Sequence, residues 1–178
     1  MEETQHDVEA WFTLYSHDLY NFLVYFTGHH DVEDLVQEVF MKAMLNKHQF
    51  RGRAARKTWL FSIARNLAID HVRKEKWRRS VLSSFLPFFR SEEKGPDEIA
   101  ERNEEFHFLY GAIRQLKQTH REVILLRGIQ GFSVAETAEI LDWSESKVHV
   151  TLHRGLKELR KLMTQPEKGG DILASSVK

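Results

Sequence analysis

Apolar residues recur at three- and four-residue spacing along most of this chain, the period of amphipathic helices. From Val8 to Phe26, Trp11, Leu14, Tyr15, Leu19, Phe22, Leu23 and Phe26 form one stripe, and Gly28 closes the predicted helix. A second helix is expected from Asp31, a residue suited to an N-cap, with Asp34 three positions on; Val32, Leu35, Val36, Val39, Phe40 and Ala43 make its inner face. Asn46 to Arg56 reads as a polar, basic loop. From Lys57 onward Leu60, Ile63, Ala64, Leu67 and Ala68 line the inner face of a third helix, and the three helices share one core.

After Arg79 the pattern changes. Val81 to Phe89 is apolar but carries Pro87, and Gly95-Pro96 breaks the polar stretch from Arg90 to Asp97, so a flexible linker is expected over residues 81–97. A second set of helices begins with Ile99, Phe106, Leu109, Ile113 and Leu116 and continues with a short apolar helix from His120 to Ile129, ended between Gly128 and Gly131. Ser133 and Glu136 form a capping box for the next helix, whose apolar members are Val134, Ala138, Ile140 and Leu141. Asp142-Trp143 make a tight turn. Ser144 caps a longer helix to about Met163, with Val148, Leu152, Leu156, Leu159 and Leu162 available for the core. A short helix, a tight turn and a longer helix form a helix-turn-helix pattern. The fold expected is all-α: two small helical domains, 1–80 and 98–165, joined by a flexible linker, with a disordered tail over 166–178.

The 178 residues contain no cysteine, so neither a disulfide framework nor a thiolate metal site is available. No apolar run reaches the roughly 18–20 residues of a membrane span, and the acidic N-terminus does not read as a signal peptide; a cytoplasmic protein without membrane insertion is expected. The formal net charge is zero, yet the charges are segregated. Residues 1–41 hold nine acids and no Lys or Arg, whereas residues 42–80 hold twelve Lys/Arg against Asp70 and Glu75. An acidic block suits a basic protein surface and a basic block suits nucleic acid, so one domain is matched to two different partners.

The third helix carries a second face of Trp59, Ser62, Asn66, Asp70 and Arg73, with cations crowded at both ends. Lysines and arginines neutralise phosphates, while an aromatic ring or an asparagine can stack on or hydrogen-bond an unpaired base. The helix after the tight turn exposes Lys147, His149, Val150, His153 and Arg154, where a helix-turn-helix meets the major groove. His149 and His153 have a metal-chelating spacing but no third ligand nearby, so neither metal nor cofactor is expected. Glu33, Asp34 and Glu38 lie on an exposed helix face without a nucleophile or basic partner, which fits docking better than catalysis.

Three blocks, in order, resemble the extracytoplasmic-function group of bacterial sigma factors. Asp31-Val-Glu-Asp-Leu-Val-Gln-Glu-Val-Phe-Met-Lys-Ala43 is similar to the group's polymerase-binding helix. Phe50-Arg-Gly52 with Lys57-Thr-Trp-Leu-Phe-Ser-Ile-Ala-Arg-Asn-Leu-Ala-Ile-Asp70 is similar to its promoter −10 region. Gly131-Phe-Ser-Val-Ala-Glu-Thr-Ala-Glu-Ile-Leu141, with Ser144-Glu-Ser-Lys-Val148 and His153-Arg-Gly155, is similar to its −35-reading helix-turn-helix. The resemblance implies a non-enzymatic promoter-specificity subunit with no catalytic residue. It implies that Asp31, Glu33, Asp34, Gln37, Glu38 and Met41 bind core RNA polymerase at the β′ clamp helices, with the β flap as a further contact. Phe50, Arg51, Lys57, Thr58, Trp59, Arg65, Asn66, Asp70, Arg73, Lys74 and Lys76 would then bind −10 DNA. Ser144, Ser146, Lys147, His149, Val150, His153, Arg154 and Lys157 would bind the −35 element. Promoter DNA and a membrane-anchored anti-sigma protein are the remaining expected partners. The alternative is an autonomous helix-turn-helix regulator, disfavoured by zero net charge and the acidic first block. A recombinase or nuclease lacks an identifiable catalytic residue.

Overall fold

The computed structural model describes residues 2–47, 50, 55–85 and 104–164, and among them every regular element is helical. The first domain is built from α1 (Glu2–Thr27), α2 (Glu33–Leu45) and α3 (Arg56–Phe85). Gly28 ends α1 at φ +78, a left-handed conformation that disfavours side chains. The start of α2 corrects one expectation: Val32, not Asp31, is the N-cap, and no side chain caps it. Val32 is completely buried, so the core anchors the entry to α2 and leaves Asp31 outside. The expected inner face is buried throughout, from Leu35 to Ala43. Leu14, placed in the α1 stripe by spacing, is instead 66% exposed.

Leu60, Ala64, Leu67 and Ala68 bury the inner face of α3. The helix runs to Phe85, so its last turns enter the stretch read as linker; residues 86–103 and the tail lie outside the described residues.

The second domain comprises α4 (Glu104–Gln115), α5 (Gln118–Ile124), a π-helical turn (Leu125–Ile129), α6 (Val134–Leu141) and α7 (Glu145–Thr164). The capping box at α6 is present, with Ser133 Oγ accepting from the Glu136 amide and the Glu136 carboxylate accepting from the Ser133 amide. Asp142 takes the left-handed conformation that turns the chain, and Ser144 Oγ accepts from the Lys147 amide at the start of α7. On α7, Val148, Gly155 and Leu159 are buried, while Leu156, expected inside, is 47% exposed. The helix packs so closely on α5 that a glycine faces it: a Cβ at Gly155 would lie 3.1 Å from Ile124 Cδ1 and 3.2 Å from His120 Cβ.

The two domains are docked on one another and share one hydrophobic core. The π turn, closed by the Gln130 amide donating to Leu125 O at 2.9 Å, sets Phe132 against α3. There the Phe61 and Phe132 rings meet edge-on at 4.8 Å. Tyr25 of α1 and Tyr110 of α4 stack at 3.6 Å, and burial, reinforced by Tyr110, pushes the Tyr25 phenol above its ordinary range.

Candidate nucleic-acid and polymerase interfaces

The outer face of α2 is acidic at its start and apolar at its end. Glu33, Asp34 and Gln37 are exposed and Glu38 is half-exposed, with Glu38 paired to Lys42 at 3.7 Å. Met41, Met44 and Leu45 follow, all strongly exposed, and Phe12 of α1 lies beside them, 4.9 Å from the Phe40 ring. Carboxylates next to a bare apolar rim form a surface that a basic protein partner can grip and dry. Met44, Leu45 and Phe12 were not singled out from sequence. Their exposure depends on how α1 crosses α2, which periodicity does not specify.

The outer face of α3 forms a cleft. Trp59, Asn66 and Asp70, expected together from their spacing, line a cavity of about 210 Å³. Ile63 and Leu67 form part of its wall, and Lys42 and Asn46 from the end of α2 complete it. These last two are additions, detectable in sequence only as polar residues flanking the end of a helix that packs on α3. Phe50 buttresses the cleft by packing on Trp59 at 5.4 Å, while Trp11 meets both rings at 6.0 and 6.3 Å. Arg56 lies over the Trp11 ring. Asp70 accepts from Arg73 Nη2 at 2.7 Å, which aims that guanidinium along the helix. Lys74 and Lys76 are exposed further along, and Arg51 lies outside the described residues.

Three other α3 residues are placed differently. Thr58 is buried, its hydroxyl without a hydrogen-bond partner. Lys57 Nζ pairs with Asp18 at 2.8 Å and lies over the Phe132 ring at 5.4 Å. Arg65 turns toward the second domain, its Nη2 3.0 Å and its Nε 3.1 Å from Glu122 Oε2. Gln118 Nε2 donates to the other oxygen of Glu122 at 2.8 Å. Glu122 is 1% exposed, so its carboxylate is tolerated only because both oxygens are partnered. Sequence reasoning missed this ion pair across the domain junction, although an acid immediately before an apolar run, Val123 to Leu126, was a signal for it.

On α7 the expected base-reading residues form one stripe. Ser146, Lys147, His149, Val150, His153, Arg154 and Lys157 are all exposed, opposite Val148, Gly155 and Leu159. Lys147 Nζ lies 3.9 Å from the centre of the Trp143 ring, an arrangement that steadies the helix start. Buried behind α7, His120 Nδ1 meets Glu158 Oε2 at 2.5 Å.

The arrangement has close parallels. The family description Sigma-70 region 2 matches residues 11–78, and Sigma-70, region 4 matches residues 109–159. The chain is 44% identical over 168 residues to the ECF RNA polymerase sigma factor SigX of Bacillus subtilis, an alignment covering 92% of this chain and 85% of that one. The chain belongs to the ECF RNA polymerase sigma factors. It is also 34% identical to the RNA polymerase sigma factor YlaC of Bacillus subtilis, covering 89% of this chain and 92% of that one. Among solved structures it resembles the sigma factor RpoE of Bartonella quintana in complex with the anti-sigma factor NepR. There the TM-score is 0.73 at 28% identity, covering 90% of this chain and 99% of that one. This ECF sigma factor is thus an alternative specificity factor that directs transcription initiation, with α1–α3 as its region 2 and α4–α7 as its region 4.

Proposed function

We propose that each interface has its own role in initiation, without catalytic chemistry by this chain. The acid-and-methionine face of α2 docks on the β′ clamp helices of core RNA polymerase, and region 4 contacts the β flap. The α3 cleft takes a base extruded from the −10 element of the non-template strand. Extrusion costs a few kcal/mol in lost stacking and pairing. Stacking against Trp59 and hydrogen bonds from Asn66 and Asn46 offset that cost, while Arg73, Lys74 and Lys76 hold phosphates. The exposed stripe of α7 enters the −35 major groove with His149, His153 and Arg154 at base edges. The observation that carries the reading is the cleft, which gathers an aromatic ring, two amides and Lys42 on the helix that goes on to carry Arg73, Lys74 and Lys76.

The docked domains correspond to a state off the promoter. Elements named −10 and −35 lie about 25 base pairs apart, roughly 85 Å at 3.4 Å per step. A compact chain of 178 residues has a radius of gyration of about 16 Å and cannot reach both. Promoter binding therefore requires the domains to separate, and separation exposes Arg65 and Lys57 for phosphate contact. A cytoplasmic location suits this work. No helix among the described residues is long and apolar enough to cross a membrane, and an anti-sigma protein, membrane-anchored or not, is a further partner. Run-off transcription with core enzyme and a promoter library tests the reading. Specific start sites should appear only when the chain is added, and Glu33→Lys/Asp34→Lys should abolish them. Tight, specific duplex binding without core enzyme would favour an autonomous regulator.

A further inference from the structure

The helix α3 is continuous from Arg56 to Phe85, and eighteen residues make about five full turns, which returns the chain to the same side of the helix. Trp59, which lines the α3 cleft, has such a counterpart in Trp77. Asp70 is the cleft residue nearest to it along α3, and Trp77 stands about two turns beyond, roughly 10 Å further along the axis. Its side chain is 70% exposed. Single apolar side chains on a surface are ordinary; the register and neighbours of Trp77 set it apart. Arg73 and Lys74 occupy the turn between Asp70 and Trp77 on the same side of the helix, and Arg78 follows; all three are exposed. Arg73 is paired with Asp70 at 2.7 Å and Arg78 with Glu75 at 3.0 Å. A phosphate that reaches either arginine displaces a carboxylate, so charge alone contributes little along this stretch. Stacking on an aromatic face involves no such exchange, and every base can do it.

We propose that Trp77 is a second platform for the promoter strand, stacking an unpaired base roughly three to five nucleotides from the one extruded into the α3 cleft, with Arg73 and Lys74 on the phosphates between them. The spacing follows from the helix. Trp77 lies about 10 Å beyond Asp70 and about 16 Å beyond Asn66, and a strand advances about 3.4 Å per stacked nucleotide. The proposal rests on the cleft as the seat of the extruded base and adds a second point of capture. Because both platforms stand on one rigid helix, capture at the first makes capture at the second intramolecular. Stacking is tolerant of sequence, so Trp77 keeps the strand open without adding a base preference of its own.

Holoenzyme assembled from core polymerase and the full chain, titrated with a fluorescent single strand carrying the non-template −10 sequence, tests it. Trp77→Ala should weaken binding about tenfold, the order expected for one lost base stack, and Trp77→Tyr should restore most of it. The affinity of Trp77→Ala for core enzyme, measured without DNA, should match the parent. Abasic substitutions walked along the strand then locate the contact. At the spacing set by the helix, one of them should weaken the parent about tenfold and Trp77→Ala hardly at all. An abasic site at the extruded base, recognised by its coupling to Asn66→Ala, should weaken the parent and Trp77→Ala alike. Coupling between Trp77 and one nucleotide supports the proposal. Three results overturn it: parent-like binding by Trp77→Ala, a loss that is the same whichever nucleotide is abasic, or weakened binding of core enzyme, which would make Trp77 part of the polymerase interface. If Asn66→Ala couples to no position, the cleft reading fails by itself, and coupling to Trp77 still decides this one.

Discussion

The ion pair between Arg65 and Glu122 allows the docking of the two domains to be tested quantitatively. Side-chain exposure is 19% for Arg65 and 2% for Glu122. Arg65→Met would remove two charge-assisted hydrogen bonds and leave the Glu122 carboxylate with the Gln118 amide alone. Stranding one charge of a buried pair costs about 3–5 kcal/mol, and the partial exposure of Arg65 favours the lower end. The chain can escape that cost by letting the domains part so that water reaches Glu122. A penalty of about 3 kcal/mol is roughly a hundredfold change in an equilibrium, here toward the separated form. Energy transfer between labels at Ser16→Cys and Glu139→Cys should therefore fall at lower urea in Arg65→Met than in the parent. The double variant Arg65→Met/Glu122→Leu should recover most of the loss, because replacing both charges by apolar groups strands neither. If Arg65→Met leaves the transfer curve unmoved, the pair does not hold the junction. If the double variant separates as readily as the single one, a stranded carboxylate is not the cause.

Gly155→Leu should lower the unfolding midpoint, by about 1–3 kcal/mol of overpacking, because Ile124 and His120 already stand within 3.2 Å of the new Cβ; a circular-dichroism melt equal to the parent would refute the tight α5–α7 contact. Glu136 accepts from the Ser133 amide, which holds its carboxyl below the usual 4.5. A depressed folded-state pKa adds stability above the unfolded value and loses it as pH falls through the folded one. Glu136→Gln should therefore flatten the dependence of the melting midpoint on pH between about pH 5 and pH 3. Arg154→Ala should weaken −35 discrimination by about 1–3 kcal/mol if the guanidinium makes a bidentate base contact, and unchanged selectivity in competition binding with core enzyme would remove it from that role. Asn66→Ala should slow strand opening, measured by fluorescence of a base analogue in the −10 element, while leaving α7–DNA contacts intact.

Local order was legible in the chain because periodicity and capping act over three or four residues. The buried face of α2, the Ser133–Glu136 capping box and the Ser144 cap all follow from such signals. Where a position depends on what crosses it, the same signals mislead. Leu14 and Leu156 have core spacing yet face outward, and it is Gly155 that meets α5. Asp31 has the chemistry of a cap, but burial of Val32 sets the helix one residue later. The junction was the least legible part: Phe61 with Phe132 and Arg65 with Glu122 are paired across many tens of residues, and no local pattern reports such a partner.

That junction also explains how a chain with zero net charge can carry a nucleic-acid surface. Lys57 and Arg65, cations suited to phosphate, are held by Asp18 and Glu122, and Arg73 by Asp70. DNA binding by these three exchanges a protein carboxylate for a phosphate instead of releasing a free cation from water, so the net gain per contact is small. For Arg65 the exchange also requires Glu122 to be resolvated, which only domain separation permits. A repressor that must hold duplex by itself gains little from such internal neutralisation. Under the proposed function a specificity subunit would, because a partner that separated its domains would supply the energy and the isolated chain would be kept from competing for promoters. The salt dependence of binding distinguishes the cases. The chain alone should show a shallow slope of log affinity against log salt, and the Glu122→Leu chain, with Arg65 freed, a slope steeper by about one phosphate contact. Equal slopes would mean that Arg65 never reaches the DNA.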